Sequence, residues 1–385
     1  MFGRRHLVAL ALTAALTAAA AGANHLRQES GHPAPAGSAR SLGRGFTLVA
    51  SGDILPHTSV IDQAAYYAAG RGYYFGPMLT ETEPALSRAD LALCHMDTAF
   101  GADGHYSGYP VFASPPQLAR GLAAAGYAGC STASSHALDD GPAGVRRTLD
   151  AMDAAGLKHV GTARSAAEAR AVTLLRAGPA RVAHLSYTVG TEGRPRPAGE
   201  PWAVNVIDER RMIADARAAR RAGADVVVVS VHWGTEWQRE PSVQQRGLAR
   251  RLTASATAGR PDIDLILGTH PHDPQAYEKV NGTWVIYGMG EQIAGELADR
   301  GGIRSPRGNA STLGRFTFAP PARPGGRWRV TRAEFVPQWY DLDSGRVLDV
   351  NRAIAHGARL EAVRDRIRDV VLSRGAGEDG LTMGE

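Results

Sequence analysis

A succession of short apolar runs, most of them ending in an acid or a histidine, constrains this chain more than any other feature. Phe46 to Ile54, Ala89 to Met96, Ala128 to Ala133, Arg181 to Tyr187, Ala224 to Val231, Ile263 to Leu267 and Thr283 to Tyr287 have the length of strands. Helical patterns separate them. Pro142 opens one helix whose Val145, Leu149 and Met152 share a face before Gly156 ends it. This alternation predicts an α/β fold, with ligands bound beyond the carboxyl ends of the strands. After Gly302, β-rich segments at Arg315 to Ala319 and Trp328 to Trp339 are expected to complete or flank the sheet. Leu360, Val363, Ile367 and Val370 mark a last amphipathic helix packed on the body, and residues from Gly375 on read as a frayed tail.

The 385 residues are 44% hydrophobic, ample for a substantial core. The net charge of +5 comes almost wholly from arginines interspersed with acids, as in Asp208 to Arg221, and Lys158 and Lys279 are the only lysines. That pattern describes solvated helix faces, and no nucleic-acid binding is inferred. At the N-terminus Arg4 and Arg5 precede the apolar stretch Leu7 to Ala21 and the small residues Ala21-Gly22-Ala23. These read as a signal peptide over residues 1–23, hence an exported, extracytoplasmic protein, secreted or membrane-associated, with Arg4-Arg5 resembling a twin-arginine signal. Retention of the segment as an anchor is the alternative. Residues 24–44 read as a flexible linker, 45–345 as the folded domain, and 346–385 as the terminal helix and tail. Cys94 and Cys130 sit in two expected strands and are read either as a disulfide or as two buried thiols.

The candidate chemistry lies at the strand ends. Gly268-Thr269-His270-Pro271-His272 puts two imidazoles on a turn whose backbone Pro271 restricts. Asp53 follows Gly52, which allows a close approach to the backbone. Alternation places His95 and Asp97 on one face. Ser134-Ser135-His136 leads into a helix, and His232 ends another strand. Convergence of Asp53, Asp97, His232, His270 and His272 gives the mixed oxygen and imidazole donors that suit zinc, manganese or iron, as one or two divalent ions. Such a site offers Lewis-acid polarisation of a phosphoryl or carbonyl oxygen and activation of water, with a protonated His136 assisting the leaving group. No nucleophile elbow, P-loop or dinucleotide fingerprint competes with this reading.

Together Gly52-Asp53, Asp97-Thr98, Tyr109-Pro110-Val111-Phe112, Ser135-His136-Ala137-Leu138-Asp139, His232-Trp233-Gly234, Gly268-Thr269-His270-Pro271-His272 and Ile286-Tyr287-Gly288-Met289-Gly290 resemble the CapA family of poly-γ-glutamate capsule biosynthesis proteins. That family belongs to the metallophosphatase (calcineurin-like) superfamily. The resemblance implies a four-layer αββα sandwich of metallophosphatase type, a metal centre held by Asp53, Asp97, His232, His270 and His272, a bridging role for Asp97, and His136 as general acid. His57 is a weaker metal candidate, four positions from Asp53 where the superfamily has a histidine two positions on. Ser134-Ser135 stand where the family has Asn-Asn, leaving Ser135 a hydroxyl as its only metal donor. His95-Met96-Asp97 replaces Asn-Leu-Glu, and Gly290-Glu291 replaces Gly-Asn with an added negative charge near the site.

The function implied is an exported metal-dependent hydrolase of capsule polymer synthesis, acting on a phosphoester or on an amide of an anionic cell-surface polymer. The alternative is a non-catalytic component that binds the polymer or assembles with membrane synthase subunits. A third reading makes the rim acids and histidines the remnant of an inactive site.

Overall fold

The computed structural model describes residues 44–297, 306–323 and 325–384. The expected signal peptide and, apart from Arg44, the expected linker lie outside the described residues. Most expected strands form, with ends shifted by a few residues. Two sheets organise them. The first runs Arg346–Asp349, Arg329–Asp341, Ala310–Ala319, Phe46–Ile54, Leu91–Met96, Gly129–Ser131 and Lys158–Val160. Glu291–Ile293 lies parallel to the end of Phe46–Ile54, and Leu381–Met383 lies beside Arg329–Asp341. The second runs Tyr277–Val280, Thr283–Ile286, Leu265–Thr269, Val226–His232, Ala180–Thr188 and Leu174–Ala177.

The period-two alternation of strand side chains sets three cores on the faces of the two sheets, beside a smaller cluster of Ala133, Leu138, Val145, Leu149 and Val204. Leu48 and Leu93 from the first sheet meet Val228, Leu267 and Ile286 from the second. Val49 and Met96 point the other way, onto Val60, Leu122 and Met152 of the helices Thr58–Tyr67, Gln117–Ala125 and Gly141–Ala154. Val227 and Ile266 point outward from the second sheet onto Met212 and Leu252 of Glu209–Arg221 and Val243–Ala254. Helices therefore cover the outer face of each sheet, giving the four-layer αββα sandwich. Both faces of the central strands are covered, so their runs are apolar throughout. Each fully buried Leu, Ile or Val contributes roughly 1.5–3 kcal/mol.

The C-terminal region departs from expectation. Leu381–Met383 pairs with Ala333–Phe335 instead of fraying, because Leu381 enters the core between the sheets. Ile367 of the helix Glu361–Val371 enters the same core and Val363 packs against it, as expected, but Val371 takes the core position expected of Val370. The stretch beyond residue 345 thus supplies two strands of the first sheet.

Cys94 and Cys130 are register partners in neighbouring parallel strands and are joined by a disulfide, with Cα atoms 4.4 Å apart. Two glycines permit close backbone approaches at the functional edge. A Cβ on Gly52 would lie 1.9 Å from the carbonyl oxygen of Gly290, and one on Gly268 would lie 2.3 Å from that of Tyr287.

Gly52→Ala should therefore force the Gly290 turn away and destabilise the protein by about 3 kcal/mol, the upper part of the overpacking range. An unchanged urea midpoint would show that the approach is not limiting. The denatured, unreduced protein should present no reactive thiol, and both cysteines should react after reduction. Thiol titration checks this, and reactive thiols before reduction would refute the pairing.

Candidate metal centre

Two rows of side chains face each other where the sheets meet. In the first sheet, Glu291 is the register partner of Asp53, Asp53 of His95, and His95 of Ser131. Partners in adjacent strands share a face, so these four form one row. In the second sheet Thr188 and Thr269 flank His232. Asp97 follows the strand that carries His95, and His270 and His272 follow Thr269. His270 and His272 adopt φ of 94° and 63°, a left-handed conformation that costs a non-glycine residue about 1–3 kcal/mol and clusters at functional turns.

Hydrogen bonds fix the imidazoles. The Ser131 hydroxyl donates to the Cys94 carbonyl at 3.3 Å and so accepts from His95 Nδ1 at 2.7 Å. His95 Nε2, 2.9 Å from His232 Nδ1, is then the acceptor, and the His232 proton resides on Nδ1. His232 Nε2 is left with a lone pair, 3.2 Å from the Ser135 hydroxyl and 3.6 Å from Asp97 Oδ1. Asp53 Oδ2 accepts from the backbone N–H of His270 at 3.1 Å. Its Oδ1 stands 3.6 Å from His95 Nε2 and 3.7 Å from His232 Nδ1. Among the described residues Asp53, His95 and His232 offer donor atoms within 4.8 Å of one another. Beside this group, with its ring 6.1 Å from that of His270, His272 meets Glu291 Oε1 through Nδ1 without hydrogen-bond geometry, and Trp237 stacks on the His272 ring.

The buried atoms left without hydrogen-bond partners define what the centre lacks. Asp53 Oδ1, both Asp97 oxygens, both Glu291 oxygens, His270 Nδ1 and His272 Nδ1 have none. Three carboxylates in a rim sealed from water are costly unless a cation neutralises them. Burial, reinforced by the charge of Asp97, raises the Asp53 carboxyl well above its usual range, and burial lifts Asp97 to about 6 and raises Glu291. Burial lowers His95 to about 3 and His270 to about 4, and holds His232 well below its ordinary value, so these rings are neutral, the form that ligates metal. Burial opposes a charge on His272, but Glu291, with Glu236 and Asp53, outweighs it and raises that ring well above normal. Donor atoms sharing a tetrahedral ion with bonds of about 2.0–2.2 Å stand roughly 3.4 Å apart, close to the spacing of His232 Nε2 and Asp97 Oδ1. The donor set fits a divalent metal.

Beside the centre opens a pocket of about 340 Å³, lined by His57, Phe112, His136, Arg194, His272 and Glu291 among others. His136 Nδ1 bonds Asp139 Oδ2 at 2.8 Å. Asp139 is itself held by the Phe112 N–H at 2.7 Å and by Arg194 Nε at 2.9 Å. Burial works against protonation of His136, but Asp139 and Asp97 overcome it and raise the ring. With Nδ1 committed to Asp139, Nε2 is the atom free to give a proton to a pocket occupant.

The structure brings Asp53, Asp97, His232 and His270 into one cluster and sets His272 beside it. Ser135 meets the centre only through its hydroxyl on His232. His57 stands at the N-cap position of the helix Thr58–Tyr67 without a side-chain capping bond and packs against Phe112 at 5.0 Å on the pocket side, its basicity lowered by burial to about 3. His95 was placed on the right face by alternation, yet its bond to His232 needed the second sheet to be seen. The sequence reading assigned Asp139 no role, although its spacing three residues after His136, just ahead of a helix, is a signal that could have found it.

Comparison with known proteins agrees with these motifs. The PGA biosynthesis protein CapA of Bacillus subtilis (strain 168) is 32% identical over 167 residues, covering 42% of this chain and 41% of that protein. The capsule biosynthesis protein CapA of Bacillus anthracis is 27% identical over 172 residues, 44% of this chain and 40% of that one. A probable polyglutamine synthesis accessory protein of Mycobacterium tuberculosis is 27% identical over 216 residues, 53% and 55% of the two chains. The matched stretch thus spans between 40% and 55% of the length of these relatives. Among solved structures, the calcineurin-like phosphoesterase YfkN from Bacillus subtilis overlaps with a TM-score of 0.40 at 15% identity, over 77% of this chain and 91% of that one. The family model described as bacterial capsule synthesis protein PGA_cap matches residues 47–296, a span that holds every residue of the centre, and the chain belongs to that family.

Proposed function

We propose that this protein is an exported, metal-dependent hydrolase of capsule polymer biosynthesis, cleaving a phosphoester or an amide of an anionic polymer. One observation carries the reading: buried, unpartnered carboxylates adjoin a pocket that also holds a raised, carboxylate-anchored histidine. Asp53, Asp97, His232, His270 and His272 would hold one or two divalent ions, zinc, manganese or iron. When bound, such an ion supplies Lewis-acid polarisation of a phosphoryl or carbonyl oxygen. His136 gives its Nε2 proton to the departing oxygen or nitrogen, while Asp139 keeps the ring oriented and stabilises its charge. Arg194 offers the pocket a positive group for an anionic substrate. The Cys94–Cys130 disulfide supports an oxidising, extracytoplasmic location.

Natively purified protein should contain a stoichiometric transition metal that an Asp97→Asn, His232→Ala double variant loses. Elemental analysis decides this, and metal-free wild type, or a double variant that keeps the metal, would sink the reading. His136→Gln should lower kcat by about 10²–10⁴ with metal content unchanged, assayed on phosphoesters and on poly-γ-glutamate. A variant as active as wild type would remove His136 from the chemistry. Metal affinity should rise with pH. In the metal-free protein Asp97 takes up a proton below about 6, while Asp53 and His272 hold theirs well above their usual ranges, and all three must release them to bind. His232 and His270 are already neutral and add nothing to this dependence. Chelator competition from about pH 5 to about pH 8 reads the slope, and a flat profile would contradict the assignment.

A further inference from the structure

Glu291 is a carboxylate with no evident structural duty. It is fully buried, neither oxygen has a hydrogen-bond partner, and it nonetheless lines the pocket beside His272. Its position is held firmly from both sides. Asp53 N–H donates to the Gly290 carbonyl at 2.9 Å and Leu55 N–H to that of Ile293 at 2.9 Å, tying the short strand to Phe46–Ile54. The next side chain, Gln292, points to the opposite face, where it accepts from the Tyr127 hydroxyl at 2.7 Å and donates to Gln338 at 3.1 Å. Strand alternation then leaves Glu291 no direction but the row it shares with Asp53.

Its contact with His272 explains only part of it. Glu291 Oε1 and His272 Nδ1 form a close ion pair, but not along the direction of a ring N–H. Glu291 Oε2 has no partner at all, and a buried carboxylate oxygen left bare is costly unless a cation meets it. Asp53 Oδ1, unpartnered as well, belongs to the adjacent residue of the same row.

We propose that Glu291 is a direct metal ligand, completing with Asp53 and His272 a carboxylate-rich half of the centre that takes an oxygen-preferring divalent cation such as Mn²⁺. This rests on the divalent-ion reading of the site and adds a donor to it. Two carboxylates and one imidazole make a harder set than the imidazole-rich side around His232 and His270, which favours manganese in this half. The row explains how a chain with only hydroxyls at Ser134 and Ser135 still assembles enough anionic donors.

The test uses the full-length protein, stripped of metal and titrated with Mn²⁺, beside its Glu291→Gln variant, which keeps the shape and loses the charge. The variant should bind at least about 10-fold more weakly in one step. The Co²⁺-substituted proteins should also differ in their visible ligand-field bands. Weaker binding with unchanged Co²⁺ bands would make Glu291 a support for His272 and overturn direct ligation, and unchanged affinity would overturn it too. A wild type that binds no divalent ion would fail the functional reading itself, a distinct result. Anomalous scattering from Mn²⁺-soaked wild-type crystals gives a check independent of any variant. An ion bonded to the Glu291 carboxylate supports the proposal, and an ion with Glu291 turned away refutes it.

Discussion

Uncompensated negative charge in a dry rim is the constraint on which the rest of this site depends. Asp53, Asp97 and Glu291 are sealed from water at one edge where two sheets meet, and among the described residues no arginine or lysine pairs with their free oxygens. A protein tolerates such a cluster by protonating it or by supplying a cation. The surrounding histidines make protonation the poorer choice for function. Three of them, His95, His232 and His270, are kept neutral, and His232 and His270 keep lone pairs available to the same ion that would balance the acids. Acids and imidazoles thus answer a single requirement from opposite directions.

The sandwich meets that requirement by turning strand register into donor placement. Rows such as Ser131, His95, Asp53 and Glu291 assemble because parallel neighbours align residue by residue. The second sheet then sets His232 against His95 from across the interior. The strained turn at His270 and His272 is held by what precedes it, a strand buried on both faces and a glycine seated against the Tyr287 carbonyl. Packing energy from the three cores stabilises a local geometry that the turn would not hold alone.

Much of this was legible in the sequence because central strands buried on both faces read as unbroken apolar runs. The ends of those runs pointed to Asp53, Asp97, His232 and the His270-Pro271-His272 turn. What stayed hidden was everything defined by pairing between distant segments. Lys158–Val160 and Glu291–Ile293 are too short to show a pattern, and Leu381–Met383 reads as a tail until its partner strand is in place. Glu291 was visible as a charge, but only its alignment with Asp53 says where that charge points. His95 likewise needed a partner from the other sheet to acquire a role.

The tie between Cys94 and Cys130 has a consequence beyond cohesion. Each cysteine immediately precedes a member of the row, His95 and Ser131, so the bridge pins the register that lets Ser131 accept from His95. A slip of one residue between these strands would turn the serine to the far side of the sheet. His95 would then lose the contact that decides which of its nitrogens carries the proton, and His232 would lose its instruction in turn. Oxidation of a thiol pair on the helix-covered face therefore safeguards a choice of tautomer on the other, as a rivet through a hinge preserves the alignment of a lock.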